Sequence, residues 1–234
     1  MGQREKYLNC IIDKIDKSKP CFEKPDYSKP EFKEPNDEII KIYKKLGGKN
    51  IYPTSFRRFD IKRQNFFIEL DEERHFNRYR LLTLNSSIYK NYKYFNLSNY
   101  KNYCKVYETP CLSAASWGRN WKNDSTEKQF GTSDKEGCLR KLGSSRWKQR
   151  AFYDFLKDVT GLIIGIPIIR VSIWDKLNES DTIDVCLRCQ KEKILLEYLK
   201  PIIKEANKSS ISKQWTSKKN KDKFKDYYNN IPPQ

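Results

Sequence analysis

Three acidic residues lie in segments that are otherwise apolar. Asp60 stands between an aromatic and an aliphatic residue, and Glu69 and Asp71 follow the apolar run Phe66–Ile68. Residues two apart on a strand share a face and lie roughly 6–7 Å apart along it, and Asp60 on a paired strand would point to the same side. Three carboxylates brought that close repel one another unless a cation lies between them. The spacing therefore predicts a site for Mg²⁺ or Mn²⁺, which bind oxygen ligands and can promote phosphodiester hydrolysis.

The same three residues also permit an interpretation without a metal. Asp71 would then be a solvated residue at the end of its strand, Asp60 would lie at a sheet edge, and Glu69 would pair with an arginine. The spacing alone leaves both interpretations open.

A hairpin and a helix must position these residues. Alternating apolar residues predict strands over Ser55–Lys62 and Asn65–Asp71, joined by a tight turn. Ser144 or Ser145 begins a helix that runs to Asp158 with one apolar stripe, and Gly161 ends it.

A further strand follows the helix. The largely apolar stretch Leu162–Trp174 is typical of a central strand buried on both faces, in which Pro167 marks a bulge or a break. Residues 103–107 could add another strand, and residues 112–145 are predicted to be loops. These elements predict an α/β fold with a small mixed β-sheet flanked by helices.

The remainder of the chain is predicted to surround this core. A short helix begins at residue 36 or 37 and ends at Gly47-Gly48, and a helix over residues 185–206 is kinked or split at Pro201. The predicted regions are an extended proline-rich arm (1–35), an α/β core (36–176) with an insertion (about 83–143), and a helical extension with a basic tail (177–234).

The charge of the chain indicates a polyanionic partner. The sequence has 47 Lys+Arg against 30 Asp+Glu, a formal net charge of +17, which favours nucleic acid. An aromatic share of 14% argues against a wholly disordered chain. No apolar stretch reaches the about 20 residues of a membrane span, so no membrane association is expected. Seven cysteines without a visible secretory signal favour a reducing, cytoplasmic compartment, and Cys186 and Cys189 are interpreted as ordinary thiols in preference to a zinc site.

The acidic segments also resemble a known family. The pattern Arg58-Phe59-Asp60, followed by Phe67-Ile68-Glu69-Leu70-Asp71-Glu72-Glu73-Arg74-His75-Phe76, resembles the PD-(D/E)XK nuclease superfamily. It is closest to the branch similar to very-short-patch-repair endonucleases, which continues with a helix and an apolar strand ending in arginine, here Gln149–Asp158 and Gly165–Val171. The resemblance covers roughly residues 37–175 and implies a restriction-endonuclease-like core.

The resemblance implies roles for individual residues. Asp60, Glu69 and Asp71 match the acidic positions that bind metal, and His75 matches the histidine of the branch. Two positions depart from the pattern: Glu72 stands where glycine is expected, and Asp71 stands where the superfamily has lysine. Lys62, Lys148 or His75 would then orient the water or screen charge.

Basic residues near these segments are candidates for binding nucleic acid, since arginine contacts phosphates. They are Arg74, Arg78, Arg80, Arg146 and Arg150. Arg170, inside an apolar strand, needs a buried carboxylate or a phosphate as its partner.

The sequence thus predicts a Mg²⁺-dependent endonuclease acting on nucleic acid, by preference DNA, of a restriction or repair type. A homodimer is compatible with this expectation because many double-strand cutters dimerise. The alternative is a non-catalytic basic nucleic-acid-binding or ribonucleoprotein component. A third interpretation is a nuclease fold that has lost catalysis, which the missing lysine keeps open.

Overall fold

The computed structural model describes residues 2–19, 33–53 and 59–209. The sheet in this part of the chain has three strands in the order β1 (Ile61–Lys62), β2 (Phe67–Asp71) and β3 (Ile168–Ser172). Strand β1 pairs with β2 antiparallel, and β2 pairs with β3 parallel. The coarse prediction of an α/β fold with a small mixed sheet is confirmed.

The described helices are mostly short and surround the sheet. They are α1 (Gln3–Ile15), α2 (Lys33–Lys45), α3 (Arg78–Thr83), α4 (Leu97–Val106), α5 (Glu108–Ala115), α6 (Asp124–Phe130), α7 (Ser145–Ile164), α8 (Ile183–Arg188) and α9 (Glu192–Ser209). None of these helices combines the length and the apolar composition needed to cross a bilayer.

The two faces of the sheet differ in chemistry. Ile68 and Leu70 of β2 point into an apolar cluster formed with α1, α8 and α9. The alternate residues of β2 point to the other face, where α7 lies. Helix α7 packs its own apolar side, including Phe155 and Val159, into an apolar cluster with residues of α2, α3 and α6. It is therefore buried between the sheet and a second layer of helices.

Helix α7 begins and ends at clear signals. The side chain of Ser144 accepts a hydrogen bond from the Trp147 backbone N–H at its start, and Gly165 adopts the left-handed conformation at its end. The predicted end at Gly161 is wrong. Gly161 lies where the helix approaches β3 most closely, and a Cβ there would lie 2.6 Å from side-chain carbons of Ile168.

Several predicted elements differ from the structure. The extended arm over residues 1–35 is wrong for Gln3–Ile15, which form α1, because Leu8, Ile11 and Ile12 lie at helical spacing and pack on the sheet. The rest of that prediction, over residues 20–32, falls outside the described residues. Residues 103–107 belong mostly to α4, since Tyr100, Tyr103 and Cys104 form its buried side.

The other corrections concern loops and a proline. Helices α5 and α6 lie within the segment predicted to be loops. The predicted helix over residues 185–206 is interrupted between α8 and α9, and Pro201 lies inside α9. Burial of Leu199 and Ile203 on either side of Pro201 outweighs the hydrogen bond that a proline cannot make. Part of the expected first strand, residues 54–58, and the tail from residue 210 lie outside the described residues.

Candidate active site

Helix α7 turns a line of charged residues toward the sheet. At 100° per residue, five of its side chains fall on one side of the helix. They are Arg146, Arg150, Asp154, Lys157 and Asp158. A helix that covers a sheet ordinarily presents apolar residues to it. The charged line therefore marks the interface between α7, β2 and β3 as the candidate site.

Glu69 and Lys157 form a buried ion pair at the centre of this interface. The Lys157 Nζ atom donates to Glu69 Oε2 over 2.6 Å. Lys157 is 7% exposed and Glu69 is 1% exposed. Burial raises the pKa of Glu69 to about 7 against the opposing effect of Lys157, and the charge of Asp60 adds to the rise. Burial lowers the pKa of Lys157, but the charge of Glu69 outweighs it and holds that pKa above its usual value. Glu69 thus exchanges a proton near neutral pH.

Asp60 joins this pair from the neighbouring chain segment. It directly precedes β1, and the register of Ile61 with Ile68 brings it opposite Glu69. The Asp60 backbone N–H donates to Glu69 Oε1 over 3.2 Å, and Asp60 Oδ2 accepts from the Leu70 backbone N–H over 2.9 Å. These two bonds hold Asp60 against the Glu69–Leu70 segment of β2, where its charge acts on Glu69.

Glu5 adds a further acidic group near Asp60. It lies on α1, and burial raises its pKa, with the charge of Asp60 as the next cause. The edge of the sheet at Asp60 is therefore an acidic surface that reaches solvent, since Asp60 is only partly buried.

Asp71 is held by a different set of groups. Arg170 Nη1 donates to both carboxylate oxygens of Asp71, over 2.8 and 2.9 Å. Arg170 Nε donates to Asp158 Oδ1 over 2.7 Å, and Asp158 Oδ2 also accepts from Arg80 over 2.9 Å and from the Tyr89 hydroxyl over 2.6 Å. This network ties β2, β3, α3 and α7 together, and it confirms the expectation that Arg170 has a buried carboxylate as its partner.

His75 lies between two carboxylates at the end of this network. Its Nδ1 atom is 3.2 Å from Asp71 Oδ1 and 2.9 Å from Asp154 Oδ2. Burial raises the pKa of Asp154, but His75 and Arg170 outweigh burial and hold that pKa well below its usual range. One ligand atom from each of Asp71, His75 and Asp154 lies within 4.8 Å of the others. Mixed nitrogen and oxygen ligands suit a transition metal such as Mn²⁺ or Zn²⁺ better than Mg²⁺.

Comparison with known proteins places the chain in a family. The sequence profile of DUF7255, described as a family of unknown function, matches residues 41–188. The chain belongs to DUF7255. The matched segment contains the hairpin, α7 and β3 of this DUF7255 chain, and hence every site residue described above except Glu5. No curated protein and no solved structure matches the chain.

The structure separates the three acidic residues that the sequence groups together. Asp60 and Glu69 are adjacent, as expected. Asp71 shares their face of the sheet, but the three carboxylates do not form one close group in the described part of the DUF7255 chain. Asp71 instead has Arg170 as its counter-charge, and His75 Nδ1 lies 3.2 Å from the same Asp71 oxygen, Oδ1. A single cation shared by all three is therefore not favoured by this arrangement.

The two predicted lysines, Lys148 and Lys62, differ in their position relative to Glu69 and Lys157. The Lys148 Nζ atom lies 5.7 Å from the centre of the Tyr79 ring. Nine residues separate Lys148 from Lys157, which at 100° per residue places them on opposite sides of α7. The structure thus does not bring Lys148 to the Glu69–Lys157 pair, and its role stays a prediction. Lys62 lies opposite Phe67, two residue pairs along the ladder from Asp60 and Glu69 and on the same face of the sheet. Its role stays a prediction.

The predicted nucleic-acid-binding arginines fall into three groups. Arg80 is 1% exposed and forms an ion pair with Asp158, so the structure does not present it to a nucleic acid, and its predicted role is untested. Arg78 is half exposed and forms a bidentate pair with Glu108. The other three lie near one another around the first turns of α7, and their role stays a prediction. They are Arg74, Arg146 and Arg150.

Three charged residues of α7 lie in the candidate site, although they were assigned no role from the sequence. They are Lys157 and Asp154, which at 100° per residue face away from the apolar stripe, and Asp158, which lies at its edge. Charged residues on a helix are ordinarily solvated, which concealed the signal. One signal was available in the sequence. The helix carries charges of both signs beside its apolar side, and the apolar strand that follows it contains Arg170. Together these indicate a buried ionic interface between the helix and the strand.

Proposed function

We propose that this chain is a divalent-metal-dependent nuclease that hydrolyses phosphodiester bonds, with DNA as the preferred substrate and a restriction-endonuclease-like core. The observation that carries the proposal is the group of Asp60, Glu69 and Lys157. Two carboxylates from adjacent segments of a hairpin meet a buried lysine from the covering helix. The PD-(D/E)XK resemblance supports the same chemistry, and Lys157 takes the place of the lysine that the sequence pattern lacks at Asp71.

The donor set fits Mg²⁺ or Mn²⁺ at Asp60 and Glu69. Both residues offer carboxylate oxygens only, and Mg²⁺ in proteins is commonly held by one or two carboxylates together with water and substrate phosphate. Asp60 Oδ2 and both oxygens of Glu69 accept hydrogen bonds, which orient the carboxylates and leave further lone pairs available. A cation bound there would offset charge on the phosphate and lower the pKa of a bound water.

The chain's own groups would then perform distinct tasks. Lys157, held 2.6 Å from Glu69, would orient the attacking water and stabilise the negative charge that develops on the phosphate. Glu69 would help to hold the cation, and the water that Lys157 orients would lose its proton to solvent as the oxygen–phosphorus bond forms, while the leaving alcohol oxygen takes up a proton from solvent as its bond breaks. Arg170 and its carboxylates would keep β2 and α7 in register during this step.

The energetic cost of the site supports a functional origin. Four carboxylates are buried beside three permanent cations between α7 and the sheet, and burying ion pairs costs several kcal/mol per ion before their attraction is counted. Replacement of such pairs by apolar residues is often neutral or stabilising by about 1–4 kcal/mol. Stability alone therefore does not account for an ionic interface at this position. The residues are Glu69, Asp71, Asp154 and Asp158 with Lys157, Arg170 and Arg80.

A second candidate function is nucleic-acid binding without catalysis. The observation that favours it is charge balance: each of the four buried carboxylates has a basic partner within 2.9 Å, so the interface is neutralised without a metal. In this account the net charge of +17 binds the phosphate backbone and the ionic interface holds the fold.

Cleavage of plasmid DNA separates the two candidates. The purified chain is incubated with supercoiled DNA in Mg²⁺ and, separately, in EDTA. The variants are Asp60→Asn and Glu69→Gln, and the matched control is Glu179→Gln at an exposed position. The nuclease proposal predicts cleavage in Mg²⁺ by the wild type and the control, and none by the two site variants. Binding without Mg²⁺-dependent cleavage by the wild type would reject the proposal and favour the second candidate.

A further inference from the structure

Three arginines surround the N-terminal end of α7, and together they are called the arginine cluster: Arg74, Arg146 and Arg150. Arg146 and Arg150 occupy successive turns of the helix on the same side. The Arg74 guanidinium donates to Asn120 Oδ1 over 3.2 Å, and the backbone N–H of Arg146 donates to the carbonyl of Trp121 over 3.2 Å. The adjacent residues Asn120 and Trp121 thus contact Arg74 and Arg146 respectively, which places the two arginines in the same region.

Arg150 is the member of the cluster that has no partner within the described part of the chain. It is partly buried, and no hydrogen bond or ion pair joins its guanidinium to any residue that the structure describes. Burial and the positive charge of Arg74 together lower the pKa of Arg150 to about 10, and the charge of Asp154 compensates only in part. A partly desolvated cation among other cations is costly unless an anion binds beside it.

The arginine cluster lies beyond the carboxyl end of β2. Asp71 ends that strand, His75 follows it, and His75 contacts Asp154, which lies one turn of α7 after Arg150. In open α/β sheets, ligands bind outside the carboxyl ends of the strands. An anion at the cluster would therefore lie at the same end of the sheet as His75, along α7 from Lys157.

We propose that the arginine cluster binds a phosphate group of the nucleic acid and so positions the strand for the Asp60–Glu69–Lys157 group. The planar guanidinium forks match phosphate oxygens in bidentate geometry. Guanidinium groups on three sides can contact several oxygens of one tetrahedral phosphate group, whereas a planar carboxylate presents only two. The identity of the ligand rests on the proposed function, whereas the anion site itself rests on the arginines.

Thermal unfolding in inorganic phosphate tests the site without any cleavage. The melting temperature is measured in phosphate and in chloride at equal ionic strength, for the wild type and for Arg150→Gln. The matched control is Arg140→Gln, which removes the same charge from an exposed position. The wild type and the control are expected to melt at higher temperature in phosphate. Arg150→Gln is expected to lose that rise, and in chloride to melt no lower than the wild type because it removes an unpaired cation.

Oligonucleotide binding in EDTA then identifies the source of the phosphate. Arg150→Gln is expected to weaken binding by about tenfold and to reduce the slope of log affinity against log salt by about 1. Weakening confined to a 5′-phosphorylated oligonucleotide assigns a terminal phosphate, and equal weakening without the 5′-phosphate assigns an internal phosphodiester.

Two results would overturn the proposal. One is an equal response of Arg150→Gln and the wild type to phosphate. The other is failure of Arg150→Gln to fold, which would show that the arginine serves the structure. Both are independent of cleavage, so a chain that fails to cut DNA could still bind phosphate at the cluster, and a chain that cuts DNA could fail this test.

Discussion

Replacement of Glu69 by glutamine should change how the thermal stability of the metal-free protein depends on pH. Burial raises the folded-state pKa of Glu69 from its ordinary value of 4.5 to about 7. The folded state therefore binds this proton more tightly than the unfolded state. The resulting stabilisation is fully present below the unfolded pKa and is lost as the pH rises through the folded pKa.

The magnitude follows from the two pKa values. At 1.36 kcal/mol per pKa unit, the full effect is about 3 kcal/mol, of which about 2 kcal/mol falls between about pH 5.5 and 7.5. For a chain of this size, about 2 kcal/mol corresponds to a change of about 4–8 °C in melting temperature. Relative to Glu69→Gln, the wild type should therefore gain that much stability when the pH is lowered across this range.

Differential scanning calorimetry in EDTA at several pH values measures this difference. The buried Asp175, whose pKa burial raises to about 6, titrates in the wild type and in the variant alike, so the comparison cancels it. Glu69→Gln/Lys157→Met serves as a second reference because it removes both members of the ion pair. A constant difference in melting temperature between wild type and Glu69→Gln at every pH would refute the assignment of Glu69 as a buried group that exchanges a proton near neutral pH.

Three other variants test the interface between α7 and the sheet. Lys157→Met leaves Glu69 without its partner and should cost about 3–5 kcal/mol of unfolding free energy at alkaline pH and reduce DNA cleavage by about 10²–10³-fold. Gly161→Ala should destabilise by about 1–3 kcal/mol, since its Cβ would lie 2.6 Å from Ile168, although alanine is the better helix former. Ser144→Ala removes the side-chain cap of α7 and should cost about 1 kcal/mol, measured like the others by urea unfolding.

The outcomes that contradict these predictions differ for each variant. Unchanged cleavage by Lys157→Met would remove that residue from the proposed site. Stabilisation by Gly161→Ala would show that α7 does not approach β3 as closely as described. An effect of Ser144→Ala no larger than that of Ser98→Ala, at an exposed helical position, would deny the capping role.

The elements that the sequence predicts are those with a strong local pattern. The second strand, β3 and α7 each follow from apolar spacing between turn or capping residues, although their ends differ by several residues. Helix α4 was assigned in part to a strand because tyrosines favour strands. The spacing of Tyr100, Tyr103 and Cys104 is helical, and burial of that side decides the structure.

The candidate site was predictable only where it is local. The hairpin register brings Asp60 beside Glu69, and both segments are short and close in sequence. Asp71 and Arg170 are 99 residues apart, and no local pattern indicates that Arg170 would pair with Asp71 and separate it from Asp60 and Glu69. Lys157 escaped notice for a similar reason, because a charged residue on a helix is ordinarily expected in solvent.

Crystals soaked in Mn²⁺ test the central claim most directly, because anomalous scattering locates the cation. The account predicts an anomalous peak within coordination distance of Asp60 and Glu69, lost in crystals of Glu69→Gln. A peak at Asp71, His75 and Asp154 alone, or none at either group, would contradict the claim that Asp60 and Glu69 hold the catalytic cation.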